Sequence, residues 1–172
     1  MEKLLRLMAV TLVVLGISGG ALRLRAQTKS AADEKAAIEA LYKDFNDAFN
    51  KKDVNAAMAV YAPSVFAFDA IPPRQFPNWN AYKKDFEEFF AAFPGPVSNS
   101  ILELNITVVG SVAYTHGIDD GTFTAKDGSK LHIVFRVTDV LRKSKGKWLI
   151  VQEHLSFPVD LATGKADLLS KP

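Results

Sequence analysis

Asp69 and His116 are the residues of this 172-residue chain that best suit acid–base chemistry. Asp69 follows the apolar run Val65-Phe-Ala-Phe, whose aromatic side chains would raise the pKa of a neighbouring carboxyl. A histidine titrates near neutral pH, so His116 could give or take a proton, with Glu103 or Asp69 orienting its ring. Both residues also have structural interpretations, Asp69 as a loop or helix cap and His116 as a hydrogen-bonded strand residue.

Arg136 interrupts an apolar strand, where a bare charge would be costly to bury. Its guanidinium could hold a carboxylate or polarise a carbonyl in a pocket, or it could form a salt bridge with Glu153 or Asp139. If the last hairpin turns at Lys145-Gly146, Arg136 lies across from Leu155. The same register makes Arg136 and Glu153 diagonal neighbours on one face, so we predict both as ligand-binding residues.

The preceding hairpin brings three more polar residues together. A turn at Val109-Gly110 would set His116 opposite Glu103, with Tyr114 beside them. A slip of one residue would move each of these side chains to the other face of the sheet. With that register, Glu103 and Tyr114 join the predicted ligand-binding residues.

Trp79 and His132 complete the predicted binding residues. Trp79 follows a proline-rich segment and could cover the cavity and stack on an apolar ligand, or simply pack. A metal site built from His116, His132 and His154 would need three strands to converge, and the register separates His132 from His154. We therefore predict no metal site and no cofactor.

The apolar pattern is helical in the first half of the chain and strand-like in the second. Apolar residues recur at the spacing of one helix face over residues 31–50, which predicts a first helix. A short second helix follows Asp53 and ends before Pro63. A strand at Ser64 to Asp69 and a third helix after Asn80 come next, before four alternating runs. This order predicts an α+β domain: a cone-like curved antiparallel β-sheet with N-terminal helices packed on its concave face.

Two segments resemble the nuclear transport factor 2-like superfamily, in particular SnoaL-like proteins and the association domain of calcium/calmodulin-dependent kinase. One is Arg136 to Pro158, with its Gly-Lys-Trp and His-x-Ser motifs, and the other is Val65 to Asp69 with the proline loop behind it. The resemblance covers residues 31–159. It implies a SnoaL-like domain at 27–172 with a C-terminal tail at 160–172.

The superfamily includes ketosteroid isomerases, polyketide cyclases, dehydratases, transport factors and oligomerisation domains, so the resemblance implies several functions. In the kinase association domain the pocket arginines match Arg136, His116 and Leu155, of which this chain keeps the first. We predict a binding domain for a small apolar or weakly acidic molecule. The alternatives are an isomerase, cyclase or dehydratase that uses Asp69 or His116, and a homo-oligomeric assembly module; a homodimer is compatible with all three.

The N-terminus predicts export. After a basic start, an uncharged apolar run extends from Leu7 to Leu22, and it is shorter than the roughly 20 residues that a membrane span needs. We expect a signal peptide over 1–26, cleaved after Ala21 or Ala26, and a periplasmic or secreted domain. An uncleaved leader that anchors the domain to a membrane is the alternative.

The net charge of +2 comes from this leader. Removing residues 1–26 takes away four basic residues and one acidic residue, which leaves 17 basic against 18 acidic ones. A nearly neutral domain argues against a nucleic-acid partner, and we expect no membrane association after cleavage. The chain has no cysteine, which excludes disulfides, thiolate nucleophiles and zinc–cysteine sites.

Overall fold

A computed structural model of the protein describes the backbone of residues 18–170 and the side chains of residues 31–170. The predicted leader, residues 1–26, lies outside the part whose side chains are described. The chain divides into two compact units, Met1–Ala36 and Ala37–Pro172. No helix within the described residues is both long and apolar enough to cross a membrane.

Three helices and seven strands follow one another along the described chain. The first unit contains the N-terminal part of helix α1, and the second contains its remainder and every other element. The helices are α1 (Ser18–Asn50), α2 (Val54–Met58) and α3 (Trp79–Ala92). The strands are β1 (Tyr61–Phe68), β2 (Val97–Val109), β3 (Val112–Thr124), β4 (Lys130–Ser144), β5 (Lys147–Ser156), β6 (Val159–Asp160) and β7 (Lys165–Ala166).

The five long strands form one sheet in the order β1-β5-β4-β3-β2, and β6 pairs with β7 separately. Strands β2 to β5 make the expected antiparallel meander, whereas β1 joins the edge parallel to β5. The apolar faces of α1 and α3 supply Ile38, Tyr42, Tyr82 and Phe86 to the core, packed with residues of the sheet's inner face. The predicted α+β class, with helices against the concave face, is confirmed.

The boundary between α2 and β1 differs from the prediction. The pattern places Tyr61 on the second helix, but that helix ends at Met58 and Tyr61 begins the strand. Asp53 caps α2 as expected, since its side chain accepts a hydrogen bond from the Ala56 backbone N–H at 3.0 Å. Tyr61 is 3% exposed, so its ring enters the core from the sheet rather than from a helix.

A β-bulge changes the register of the last hairpin. Near the turn, Leu141 pairs with Ile150 as predicted, but the next pair is Val140 with Gln152, so one residue of β5 is left over. Every pair beyond this point shifts by one residue, and side chains of β5 exchange faces relative to the simple hairpin. The predicted pairing of Arg136 with Leu155 was therefore wrong.

The true partners separate Arg136 from Glu153. Arg136 pairs with Ser156, and Glu153 pairs with Asp139, three positions further along β4. Because side chains alternate between faces, Arg136 and Glu153 lie on opposite sides of the sheet. The predicted pairing of His116 with Glu103 was also wrong, since His116 pairs with Asn105 and the turn lies one residue later than assumed.

Candidate functional site

A cavity of about 130 Å³ opens between the inner face of the sheet and helices α1 and α3. Engineered apolar cavities of roughly 150 Å³ hold benzene, so this one has room for a group the size of one ring. Apolar side chains form most of its wall. The aromatic rings among them are Phe45, Phe49, Phe86, Phe89, Phe123, Phe135 and Phe157.

Two carboxylic acids, Asp139 and Glu153, lie side by side in the wall of the cavity. They are cross-strand partners on β4 and β5, and they are 0% and 5% exposed. Among residues 31–170, no lysine, arginine or histidine lines the cavity. Two neighbouring carboxyl groups that are shielded from water cannot both ionise without a large electrostatic free-energy cost, so the pair retains at least one proton. We refer to Asp139 and Glu153 as the acid pair.

Three tyrosines hold the acid pair in place. The Tyr42 hydroxyl, from α1, donates to Asp139 Oδ2 at 2.6 Å, and the Tyr61 hydroxyl, from β1, donates to Glu153 Oε2 at 2.9 Å. The Tyr82 hydroxyl, from α3, donates to Glu153 Oε1. Helix α1, strand β1 and helix α3 thus converge on the two carboxyl groups through their tyrosines.

Asp69 extends this network toward the proline-rich loop. Its Oδ2 lies 3.2 Å from the Tyr82 hydroxyl, and its Oδ1 accepts the Ile71 backbone N–H at 3.2 Å. A hydroxyl has one hydrogen, so Tyr82 cannot donate to Asp69 and Glu153 at once. When Tyr82 donates to Glu153, its contact with Asp69 is a hydrogen bond only if Asp69 carries a proton.

Burial is the main influence on the acidity of these groups. It raises the pKa of Asp139 to about 7, against the opposing effect of the Tyr42 hydrogen bond. Burial and then the nearby Asp139 charge hold the pKa of Glu153 well above its usual range. Burial also raises the pKa of Asp69. The acid pair therefore retains a proton near neutral pH, which is unusual for carboxylic acids, and Asp69 loses its proton less readily than a free aspartate.

Asn99, on β2, forms a second polar cluster in the wall of the cavity. Its Nδ2 donates to Asn46 Oδ1 at 3.0 Å and to Asp119 Oδ2 at 2.8 Å. Asn50 holds the Asn99 backbone at both its N–H and its carbonyl. Asn99 Oδ1 is buried without a hydrogen-bond partner. Burial raises the pKa of Asp119 to about 6.

Three of the predicted site residues line the cavity. Asp69 and Glu153 line it as described above. Glu103 also lines it, although most of this residue is exposed to solvent. Trp79 does not line it: the indole Nε1 donates to the Met58 carbonyl at 2.9 Å, which ties the start of α3 to α2. The packing interpretation of Trp79 fits this contact.

The remaining predicted residues lie on the outer face of the sheet. Arg136 is exposed between Ile118 and Ser156, and therefore faces away from the cavity. His116 and Tyr114 are exposed on the same face. His132 Nε2 lies 2.8 Å from Asp120 Oδ1, in an exposed hydrogen bond. The predicted cluster of Arg136, His116 and Tyr114 exists as a shared face, but the cavity lies on the other one.

Several polar residues of the cavity were absent from the predicted site. They are Tyr42, Tyr61, Tyr82, Asp85, Asn99, Thr115, Asp119 and Asp139. The sequence did contain a signal for Asp139. It lies on the same face of β4 as four apolar residues, Ile133, Phe135, Val137 and Leu141. A lone acid in such a face marks a polar position inside the core.

The described residues contain no cluster of three or more His, Asp or Glu side chains that could hold a metal ion. Asp69, Asp139 and Glu153 contact tyrosine hydroxyls instead, and Asp119 accepts from Asn99. What the site offers is a set of shared protons in an apolar enclosure, which suits hydrogen bonding to a ligand and proton transfer.

Comparison with known families supports the fold assignment. Residues 38–160 match the model of the SnoaL-like domain family, which covers more than half of the chain. The chain belongs to the SnoaL-like family. A search among curated proteins finds no match.

Solved structures of other proteins share the architecture. An NTF2-like protein of unknown function from Pseudomonas putida is 28% identical, with a TM-score of 0.75 over 82% of this chain and 98% of its own. A ketosteroid isomerase-like protein from Erwinia carotovora is 23% identical, with a TM-score of 0.61 over 70% and 93%. A proposed calcium/calmodulin-dependent protein kinase II association domain from Xanthomonas campestris is 24% identical, with a TM-score of 0.62 over 69% and 84%.

Proposed function

We propose that this SnoaL-like domain binds a small, mostly apolar molecule that places one polar group against the acid pair. The observation that carries the proposal is a ring-lined cavity whose wall contains the buried, cross-strand Asp139–Glu153 pair. Ligand pockets combine apolar walls with a few convergent polar groups in this way. The size of the cavity favours a ligand whose enclosed part is about one ring.

The acid pair is hard to explain by stability alone. Replacing buried ionisable groups by apolar residues of similar volume is often neutral or stabilising. Three tyrosines from separate elements nevertheless converge on these two carboxyls. A role in ligand recognition gives the arrangement a function that compensates for its cost in stability.

A weakly acidic ligand, one of the expectations from the sequence, is less favoured by this geometry. The expectation depended on Arg136 in the pocket, and Arg136 faces outward. A ligand carboxylate would add a negative charge beside Asp139, Glu153 and Asp69, and among the described side chains no lining cation would offset it, which is a large electrostatic cost.

Acid–base catalysis is the second candidate function. Asp69 contacts the Tyr82 hydroxyl, and Tyr82 contacts Glu153, so a proton can pass between the edge and the interior of the site. Carboxyls whose pKa values are raised toward neutrality act as general acids or bases in isomerases and dehydratases. This candidate requires that a bound compound be chemically converted.

A thermal-shift screen of one-ring compounds tests both candidates. Toluene, benzyl alcohol, benzaldehyde, benzylamine, benzoate and cyclohex-3-enone would be added to the domain, and each recovered compound examined by NMR. We expect at least one to raise the melting temperature by several degrees, since a ligand at 100 times its Kd stabilises by about 2.7 kcal/mol. Conversion of the compound would move the assignment from binding to catalysis.

A matched pair of variants locates the binding. Val137→Phe adds a ring inside the cavity, whereas Thr138→Phe adds the same ring to the exposed face one residue away. The first should abolish the shift and the second should keep it. If no compound shifts the melting temperature of the wild-type domain, the binding proposal is wrong.

We also propose that the domain acts outside the cytoplasm, because the sequence of residues 1–26 has the order of a secretory leader. Expression of the full chain in a Gram-negative host, followed by fractionation and mass spectrometry of the N-terminus, tests this. A periplasmic protein that begins at residue 22 or 27 is the expected result. A cytoplasmic protein that retains residue 1 would contradict it.

A further inference from the structure

We infer that the occupant of the cavity is a small organic amine, whose ammonium group binds the acid pair while its apolar body fills the ring-lined space. The inference rests on the proposed binding function and assigns the chemical class of its ligand. Three independent features of the cavity support it: the sign of its charges, the kind of polar atom left without a partner, and the nature of its walls.

The ionisable side chains of the cavity, tyrosines aside, are all acids. Among residues 31–170, it is lined by acidic residues from six segments of the chain and by no lysine, arginine or histidine. A cation that enters this space meets attraction from every charged group, and an anion meets repulsion. The acidic residues are Asp69, Asp85, Asp119, Asp139, Glu153 and Glu103, of which Glu103 is exposed and pairs with the outward-facing Ile118.

The buried side-chain atoms without partners are acceptors. Among the described residues they are Asn99 Oδ1 and Asp139 Oδ1, in residues that are 4% and 0% exposed and that both line the cavity. The orientation of the Asn99 amide follows from its Nδ2, which donates to Asn46 and Asp119. The Glu153 side chain can donate to the Asp139 carboxyl when the acid pair carries a proton, whereas Asn99 Oδ1 has no hydrogen-bond partner. Unpaired acceptors require a ligand that donates, as an ammonium group does.

The walls suit an organic cation. Phe45 contacts Phe86 and Tyr61 edge to face, with ring centroids 6.2 and 5.9 Å apart, and Phe49 contacts Phe86 at 6.0 Å. The faces of aromatic rings attract ammonium groups, most strongly where water is excluded. The same rings pack against the hydrocarbon part of an amine, so one wall serves both parts of the ligand.

Binding of an ammonium group would exchange one cation for another. The acid pair holds a shared proton when the cavity contains no cation; the ammonium replaces it as the hydrogen-bond donor, and the proton leaves to solvent. The charge of the site then changes little, which avoids burying an uncompensated ion. The groups that face the pair from the surrounding elements are Tyr42, Tyr61, Asp69, Tyr82, Asp85, Thr115 and Asp119.

This exchange predicts a pH dependence of opposite sign from that of a ligand that accepts a hydrogen bond. Below the pH at which the acid pair loses its proton, amine affinity should rise with pH and approach tenfold per pH unit, since one proton is released per amine bound. An acceptor such as a ketone needs the protonated pair, so its affinity should fall over the same range. A hydrocarbon should show no dependence.

Isothermal titration calorimetry with ligands of one size tests the inference. Benzylamine, benzyl alcohol, acetophenone and toluene would be titrated into the intact domain from pH 5.5 to 8, in buffers of different ionisation enthalpy. We expect benzylamine to bind at least tenfold more tightly than benzyl alcohol at pH 8. It should also release close to one proton at pH 6, measured from the buffer dependence of the heat.

Two site variants and two matched controls identify the groups responsible. Asp139→Asn and Glu153→Gln should lose at least tenfold in benzylamine affinity but retain toluene binding, which shows that the cavity is intact. Asp44→Asn and Glu39→Gln remove the same charge from the exposed side of α1 and should leave benzylamine affinity unchanged.

The outcomes separate the inference from the proposed function. If toluene, benzyl alcohol or acetophenone binds as tightly as benzylamine at pH 8, the cavity binds small molecules and the amine assignment is overturned. If none of the four binds, both fail. If the site variants do not fold, the wild-type pH series decides: benzylamine affinity that is flat or falls between pH 5.5 and 7 overturns the assignment.

Discussion

At the scale of a single residue, Asp139 illustrates that a buried carboxyl of the site lowers the free energy of unfolding when it ionises. Its carboxyl is fully buried, and it contacts Tyr42 on one side and lies against Glu153 on the other. Because burial raises the pKa of Asp139 to about 7, ionisation at neutral pH works against folding. The burial of Asp139 therefore does not stabilise the core at neutral pH, which is consistent with the proposed role in binding.

The variant Asp139→Asn should stabilise the domain at alkaline pH. An Asp pKa of about 3.9 in the unfolded chain lies below the folded value of about 7, so the native state binds more protons between them, and the free energy of unfolding falls as pH rises through that range. An asparagine has no proton to lose, and its amide can donate to Glu153 in place of the shared proton. We expect a gain of about 1 to 4 kcal/mol at pH 8 and little change at pH 4.

Urea denaturation at pH 4, 6 and 8 measures this difference, and Asp44→Asn, which removes an exposed carboxyl of α1, is the control. The control should follow the wild type at each pH. A wild-type free energy of unfolding that stays constant from pH 4 to 8 would show that Asp139 ionises freely in the folded state.

At the scale of elements, the sequence predicted the strands well and their faces poorly. Alternation and turn residues located β2 to β5. Pairing counted from the turn at Lys145-Gly146, however, does not allow for Val151, the extra residue of β5 opposite Val140 and Leu141. A bulge is a local irregularity with no reliable sequence signal, and one residue is enough to exchange faces. The apolar alternation of β4 was the better guide, because the buried face must be apolar whatever the register.

The same limit explains which site residues could be found. Asp69 was identified because it ends a recognisable aromatic strand, whereas Glu153 was identified through a pairing near Arg136 that the bulge overturns. Asn99 and Asp119 reach the cavity beside a second bulge, between Ile101 and Glu103, whose effect cannot be counted from the turn. The tyrosine partners of the acid pair come from distant segments, and only the packed fold brings their hydroxyls together.

Gly117→Ala should disrupt the second bulge. A Cβ at Gly117 would lie 2.3 Å from the Glu103 backbone carbonyl oxygen, which the backbone can relieve only by moving. We expect a loss of about 1 to 3 kcal/mol in the free energy of unfolding, the usual cost of overpacking, and weaker ligand binding, because Leu104 and Ile101 move with the strand. Urea denaturation measures the loss, with Ser98→Ala on the exposed side of β2 as the control. Unchanged stability would mean that β2 adjusts without cost.

At the scale of the whole molecule, the two faces of the sheet have different roles. The inner face carries the cavity, and the outer face carries four of the residues first predicted to form it, Tyr114, His116, His132 and Arg136. Several large apolar side chains remain exposed on the outer strands: Leu102 (44%), Val109 (66%), Val112 (40%) and Tyr114 (48%). Exposed apolar patches on a rigid sheet are typical of interfaces between proteins.

We propose that two copies of the domain associate through this outer face, as expected for a homodimer. Tyr114→Glu places a charge among Val109, Val112 and their neighbours, where burial in an interface would be costly, so it should convert the dimer to a monomer. Multi-angle light scattering at about 100 µM measures the mass, and Leu161→Glu, 96% exposed in the C-terminal segment, is the matched control that should remain dimeric.

Because Tyr114 faces away from the cavity, toluene binding should persist in the monomer and show that it is folded. A wild-type domain that is monomeric at this concentration, or a Tyr114→Glu domain that is still dimeric, would place any self-association on another surface.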